Sequence, residues 1–198
     1  MANRAVWIDA GNDADYAKLR AHGIDSPYFD IRDSRVTRAY LEGVQAEGFA
    51  PGVYAAWNWY PTLGGAGFAV QLSGLLVGLG APPGFPKVCA DIEIHDVGYI
   101  LAFLKRWRKL RPMRVTDWTL EGFQGGLFTA NDTLAIAAAN VGVIPQTYTG
   151  SMEPQDVARV VLDLAFHSFP PARISPFYDA ARLPAEWSGY AFAQGRLP

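Results

Sequence analysis

The strongest constraint on this chain is a rhythm in which short extended runs recur eight times, separated mainly by longer helical stretches. The extended runs read Ala5–Ala10, Ser26–Ile31, Gly52–Trp57, Lys87–Glu93, Met113–Thr119, Val141–Thr147, Arg173–Asp179 and Tyr190–Gln194. Between them, DADYAKLRAHG carries a candidate cap at Asp13 and an apolar stripe of Tyr16, Ala17 and Leu19. SRVTRAYLEGVQAEG follows, with Val36, Ala39, Tyr40 and Val44 at helical spacing. Asp96–Arg111 is the clearest helix, with Ile100, Phe103, Leu104 and Trp107 inside and a basic outer face, ended by Arg111-Pro112. Asn131–Asn140 and Glu153–Phe166 read as further helices. Strands joined through helices pair in parallel, because each return crossover needs a dozen or more residues.

Eight such strands close a (β/α)8 TIM barrel, here a compact one lacking the final helix. A doubly wound open sheet is the competing architecture. With 198 residues and no Ser/Gly linker or charge block, positions 1–198 read as a single domain. A chain of this size buries enough surface to need no disulfide or metal staple, and its lone cysteine, Cys89, forms no intramolecular bridge. The stretch from Gly67 to Gly80 is apolar but too short and too rich in glycine for a membrane span, and a buried or interfacial helix explains it. MANRAVWIDAG lacks the apolar core of a signal peptide.

In a parallel barrel the site lies where the strands end at their carboxyl side. Asp9 closes the first strand, and Asp30 or Asp33 follows the second. Asn58, Trp59 and Tyr60 follow the third, and Asp91 and Glu93 close the fourth. Asp117 and Trp118 fall at the fifth, Gln146 and Tyr148 at the sixth, Asp179 at the seventh and Gln194 at the eighth. Asp91-Ile92-Glu93 is the sharpest element, since residues two apart on a strand share a face. Both carboxyls then face the mouth while Ile92 packs outward, and their mutual repulsion raises the pKa of one of them. Glycosidases use such a pair, one acid protonating the leaving oxygen and the other supporting the developing positive charge or the attacking group. The structural alternative pairs these carboxylates with arginines that hold rim loops in place.

Trp59, Trp118 and Tyr148 are candidates for stacking against sugar C–H faces, with Asp179 and Gln194 as further substrate contacts. His95 has no second histidine near it, so neither a metal nor any other cofactor is expected. Cys89 reads as a buried core thiol. No phosphate-binding glycine loop is present. The run Lys105-Arg106-Trp107-Arg108-Lys109-Leu110-Arg111 is a solvated helix face rather than a nucleic-acid patch.

On Asp9, the Asp91-Ile92-Glu93 triplet, Asp179 and the strand GVYAAW, the chain resembles the glycoside-hydrolase TIM barrels, most nearly the family 25 lysozymes. The resemblance implies that Glu93 is the general acid. It also implies that Asp91 and Asp9 position water, an N-acetyl group or the oxocarbenium charge. In overall texture the chain is similar to glycosidase-like proteins of bacteriophages of actinobacteria, which ride on the virion tail. Two functions follow as expectations. One is an enzyme cleaving a cell-wall or surface polysaccharide such as peptidoglycan. The other is a non-catalytic virion structural or receptor-binding part with a relic site, partnered by other virion proteins or by its own copies. Neither needs nucleic acid or membrane insertion. The location implied is the virion or the host cell wall after release, with the cytoplasm before it.

Overall fold

The computed structural model describes residues 4–82, 85–92, 96–111, 116–120, 142–145, 177–179 and 191–194. Its strands are β1 (Arg4–Ile8), β2 (Ser26–Asp30), β3 (Gly52–Ala56), β4 (Lys87–Asp91), β5 (Thr116–Leu120), β6 (Gly142–Pro145), β7 (Phe177–Asp179) and β8 (Ala191–Gln194). The helices are α1 (Tyr16–Ala21), α2 (Arg38–Ala46), α3 (Gly65–Gly78) and α4 (Val97–Leu110), with a 3-10 turn at Trp57–Trp59. All described pairings are parallel, in the order β6-β5-β4-β3-β2-β1-β8-β7. Eight parallel strands in sequential order, with β8 returning to β1, are the strand order of the expected (β/α)8 barrel. The helices read over Asn131–Asn140 and Glu153–Phe166, and residues 195–198, where a final helix would begin, lie outside the described residues.

Strand alternation builds two apolar layers. Val6, Phe29, Val53, Ala55, Val88, Ala90 and Ile92 face the helices and pack with Leu41, Val44, Leu72, Ile100 and Trp107. The alternate positions Ala5, Trp7, Tyr28, Tyr54 and Cys89 fill the lumen. Ile92 therefore packs outward, as its place between two acids predicts, and Cys89 is a buried thiol. Large rings fit the lumen because Gly52 gives way: a Cβ there would sit 2.5 Å from the Tyr28 ring. At the amino-terminal end of the lumen, Lys87 Nζ donates to Ser26 Oγ (2.9 Å), which donates in turn to Asp25 (2.9 Å). This chain of hydrogen bonds satisfies polar groups at the amino-terminal ends of β2 and β4.

Local signals set the element boundaries, with five corrections to the sequence reading. The cap of α1 is Asp15, accepting from Lys18 N at 3.0 Å, and not Asp13, which is drawn into an ion pair with Arg35. Of its predicted stripe, Leu19 is buried while Ala17 is exposed. In α2, capped by Thr37, the buried pair is Leu41 and Val44; Ala39 is exposed and Val36 precedes the helix. The fourth strand stops at Asp91, two residues short of the predicted end.

α4 matches its reading, since Asp96 caps it and Ile100, Phe103, Leu104 and Trp107 are buried. The fifth correction lies at its end. Arg111 leaves the solvated face and donates to Ser73 Oγ (3.1 Å) and O (2.9 Å) on α3. α3 is apolar but for Gln71 and Ser73, and buries Phe68, Leu72 and Leu76. Its first turn presses on α4, where a Cβ at Gly65 would collide with the backbone of Tyr99 and Phe103. No helix among the described residues is long and apolar enough to cross a membrane.

Candidate functional site

Parity along the strands decides which polar groups reach the mouth. Trp7 faces the lumen, so Asp9, two residues on, continues that side where β1 ends. In register, Asp30 lies opposite Tyr54, and Ala56 opposite Asp91. The carboxyl ends of β1 to β4 thus enclose a cleft of about 470 Å³ lined by Trp7, Asp9, Asp30, Arg32, Tyr54, Asn58, Trp59 and Asp91, among others.

The acids of this cleft are differently wired. Asp9 is exposed and accepts a 2.8 Å hydrogen bond from the Tyr54 hydroxyl. Burial, then the hydrogen bond to Asp9, push the Tyr54 phenol far above its ordinary pKa, so it remains a donor at any physiological pH. Its ring lies flat on Trp7, with centroids 4.6 Å apart and planes 5° apart, which fixes the direction of that donor.

Asp30 is only 3% exposed, and an isolated buried carboxylate is costly. Arg32 offsets this with a two-pronged contact, Nε to Oδ1 at 3.1 Å and Nη2 to Oδ2 at 2.8 Å, and its backbone N–H adds a bond of 2.8 Å. The hydrogen bond to Asp30 holds the guanidinium above its usual pKa. The same guanidinium lies 3.3 Å from the centroid of the Trp59 ring, a cation–π contact. Asp91 is 8% exposed at the end of β4, directly above Cys89 on the lumen side.

The loop after β1 is latched to the loop after β2. Gly11, at φ +88°, donates its N–H to Asp33 Oδ2 at 3.0 Å. Arg35 bridges Asp33 (2.7 Å) and Asp13 (2.9 Å) and donates to Asn12 O (3.2 Å). The Arg35 hydrogen bond first, and then the Gly11 N–H, hold the Asp33 carboxyl well below the usual carboxylate range.

Of the predicted site residues, the structure brings Asp9, Asp91 and Trp59 onto one cleft. Asp179 and Gln194 are register partners at the ends of β7 and β8. Trp118 pairs in register with Ala90 of β4, whereas Asp117 and Thr119 pair with Cys89 and Asp91. Glu93 and Tyr148 lie outside the described residues, as does His95. The sequence reading did not select Tyr54 or Arg32. Tyr54 was findable, because it stands two positions before Ala56 on the lumen side of β3. Arg32 carried no signal: only the fold lays it across Trp59. Among the described residues no three His, Cys, Asp or Glu side chains cluster as metal ligands would.

No protein-family model matches this sequence, and no curated protein matches it. Solved structures do. The catalytic domain of a hyperthermophilic chitinase from Pyrococcus furiosus superposes with a TM-score of 0.65 at 13% identity, over 98% of this chain and 83% of that one. Catalytic-site mutants of the active domain 2 of a thermostable chitinase from the same organism, complexed with chito-oligosaccharides, give 0.62 at 13% identity, over 98% and 82%. A D-psicose 3-epimerase gives 0.58 at 9% identity, over 99% and 86%. A GH10 endoxylanase retrieved from a sugarcane soil metagenome gives 0.58 at 8% identity, over 94% and 70%. At these identities the likeness is one of fold.

Proposed function

We propose that this chain is a carbohydrate-active barrel that takes a cell-wall or surface polysaccharide into the cleft above β1–β4 and hydrolyses its glycosidic bonds. The observation that carries the reading is the convergence of Asp9, Asp30 and Asp91, from three different strands, with Tyr54 and Trp59 around one hollow at the carboxyl ends of the strands. Glycosidases and sugar epimerases among the structures of like fold agree with it. Glu93, next but one after Asp91, is the general acid of this proposal. It gives its proton to the leaving oxygen as the C1–O bond breaks, and water supplies the hydroxyl that C1 gains while its remaining proton restores the Glu93 carboxylic acid. Asp9, oriented by Tyr54, and Asp91 position that water or the N-acetyl group and support the oxocarbenium charge.

The test is release of reducing ends from peptidoglycan and from chito-oligosaccharides. Glu93→Gln should lower the rate by about a thousandfold or more with an unchanged circular dichroism spectrum. A variant as fast as the native chain removes the assignment. A second reading, glycan binding without turnover, is favoured by Arg32, which covers one face of Trp59 and neutralises Asp30. Binding of the same glycans by the native chain with no reducing ends released would select it.

A further inference from the structure

A second hollow, of about 440 Å³, lies between the loop after β2 and the flank of α3. Its floor is apolar, with Ile31 and Val36 from the loop and Leu75 and Leu79 from the helix. Its rim is polar. Asp33, Ser34, Thr37 and Gln71 line it; Asp33 is held by Arg35 and Gly11 and Thr37 caps α2, while no hydrogen bond joins the Ser34 or Gln71 side chain to another described residue. Arg32 is among the residues lining both this hollow and the cleft, so the two lie side by side across that residue.

The helix side of the groove is opened by Gly74 and Gly78, one turn apart. A Cβ built on either meets no atom within 4 Å, so packing does not demand glycine at these positions. Glycine is among the poorest helix formers, and here it bares the helix backbone to whatever enters the groove. An apolar strip bounded by hydroxyl, amide and carboxylate groups suits a sugar ring, which offers C–H faces between hydroxyl edges.

We propose that this groove is an auxiliary glycan site, holding further sugars of the same neutral polysaccharide chain that occupies the cleft, with Arg32 as the shared wall. The proposal rests on the reading of the cleft as a carbohydrate site. It predicts that affinity rises with chain length and that the rise depends on α3.

The experiment is calorimetric titration of the full chain with chito-oligosaccharide trimer and hexamer. The native chain should bind the hexamer about tenfold more tightly than the trimer, the return on one further well-made polar contact. Gly74→Trp fills the groove without touching the cleft and should erase that gain while leaving trimer affinity unchanged. Gln71→Ala, which cannot obstruct folding, should reduce the gain and carries the test if the tryptophan variant is unstable. A length gain that persists in both variants, or equal affinity for the two lengths, overturns the auxiliary site. If trimer binding is then still abolished by Asp9→Asn, the reading of the cleft survives. Binding of neither oligomer, with no reducing ends released from peptidoglycan, overturns both readings.

Discussion

The Tyr54 hydroxyl, inside the barrel on β3, donates to Asp9 beyond the end of β1, across 2.8 Å of space and 45 residues of sequence. This one contact ties the packing of the lumen to the acid at its mouth. The ring that aims the donor is itself held flat against Trp7, so a change in core packing would be felt by the carboxylate.

Tyr54→Phe keeps the stack and deletes the donor. It should cost about 2 kcal/mol in urea-monitored stability, the range for a hydrogen bond to a charged group. A pH effect accompanies it. The phenol is raised in the folded state, so its stabilisation is complete below the ordinary tyrosine pKa of about 10 and is lost as pH climbs from there toward the folded value. The native chain should therefore weaken in alkali more steeply than the phenylalanine variant; parallel alkaline limbs would disprove the link.

Arg32→Ala should uncover the indole of Trp59. In paired samples with and without Trp59→Phe, the fluorescence assigned to Trp59 should become more open to acrylamide quenching when the arginine is removed. Arg32→Lys should behave more like alanine than like arginine, because an ammonium cannot make the planar two-pronged contact to Asp30. Unchanged quenching would show that the guanidinium does not cover the ring.

The Asp33 latch has the opposite pH sign to Tyr54. Its carboxyl is depressed in the folded state, so its contribution is present above the ordinary carboxylate range and is lost as pH falls through the folded value. The protection factor at Gly11, its exchange rate relative to the intrinsic rate at the same pH, should fall only in strong acid, and Asp33→Asn should show the lower protection already at neutral pH. Equal protection in the two proteins would dissociate the loop from its latch.

Two glycines of α3 should respond in opposite directions to alanine. Gly65→Ala drives a Cβ into the backbone of α4 and should destabilise by about 1–3 kcal/mol. Gly74→Ala meets open space and should stabilise by about 0.5–1 kcal/mol through helix propensity. Thermal melts of both variants decide it, and a shared direction would contradict the packing described.

Much of this was legible in local pattern. The inner face of α4, its Asp96 cap, the outward Ile92 and the place of Asp9 and Asp91 at strand ends follow from periods of 3.6 and 2, which act over a few neighbours. Where two local solutions competed, the reading failed: Asp13 and Asp15 are equally good caps in sequence, and the ion pair with Arg35, a partner from another loop, takes Asp13 away.

The order of extended and helical segments by itself determined a parallel barrel with acids gathered at one mouth, because crossover length and strand parity are local properties. Only the tertiary structure decided which of those acids is oriented, which is neutralised and which aromatic face is covered. Tyr54 reaches Asp9 from the next strand but one, and Arg32 folds back onto both Asp30 and Trp59. Such contacts depend on the three-dimensional closeness of groups that no short-range rule brings together.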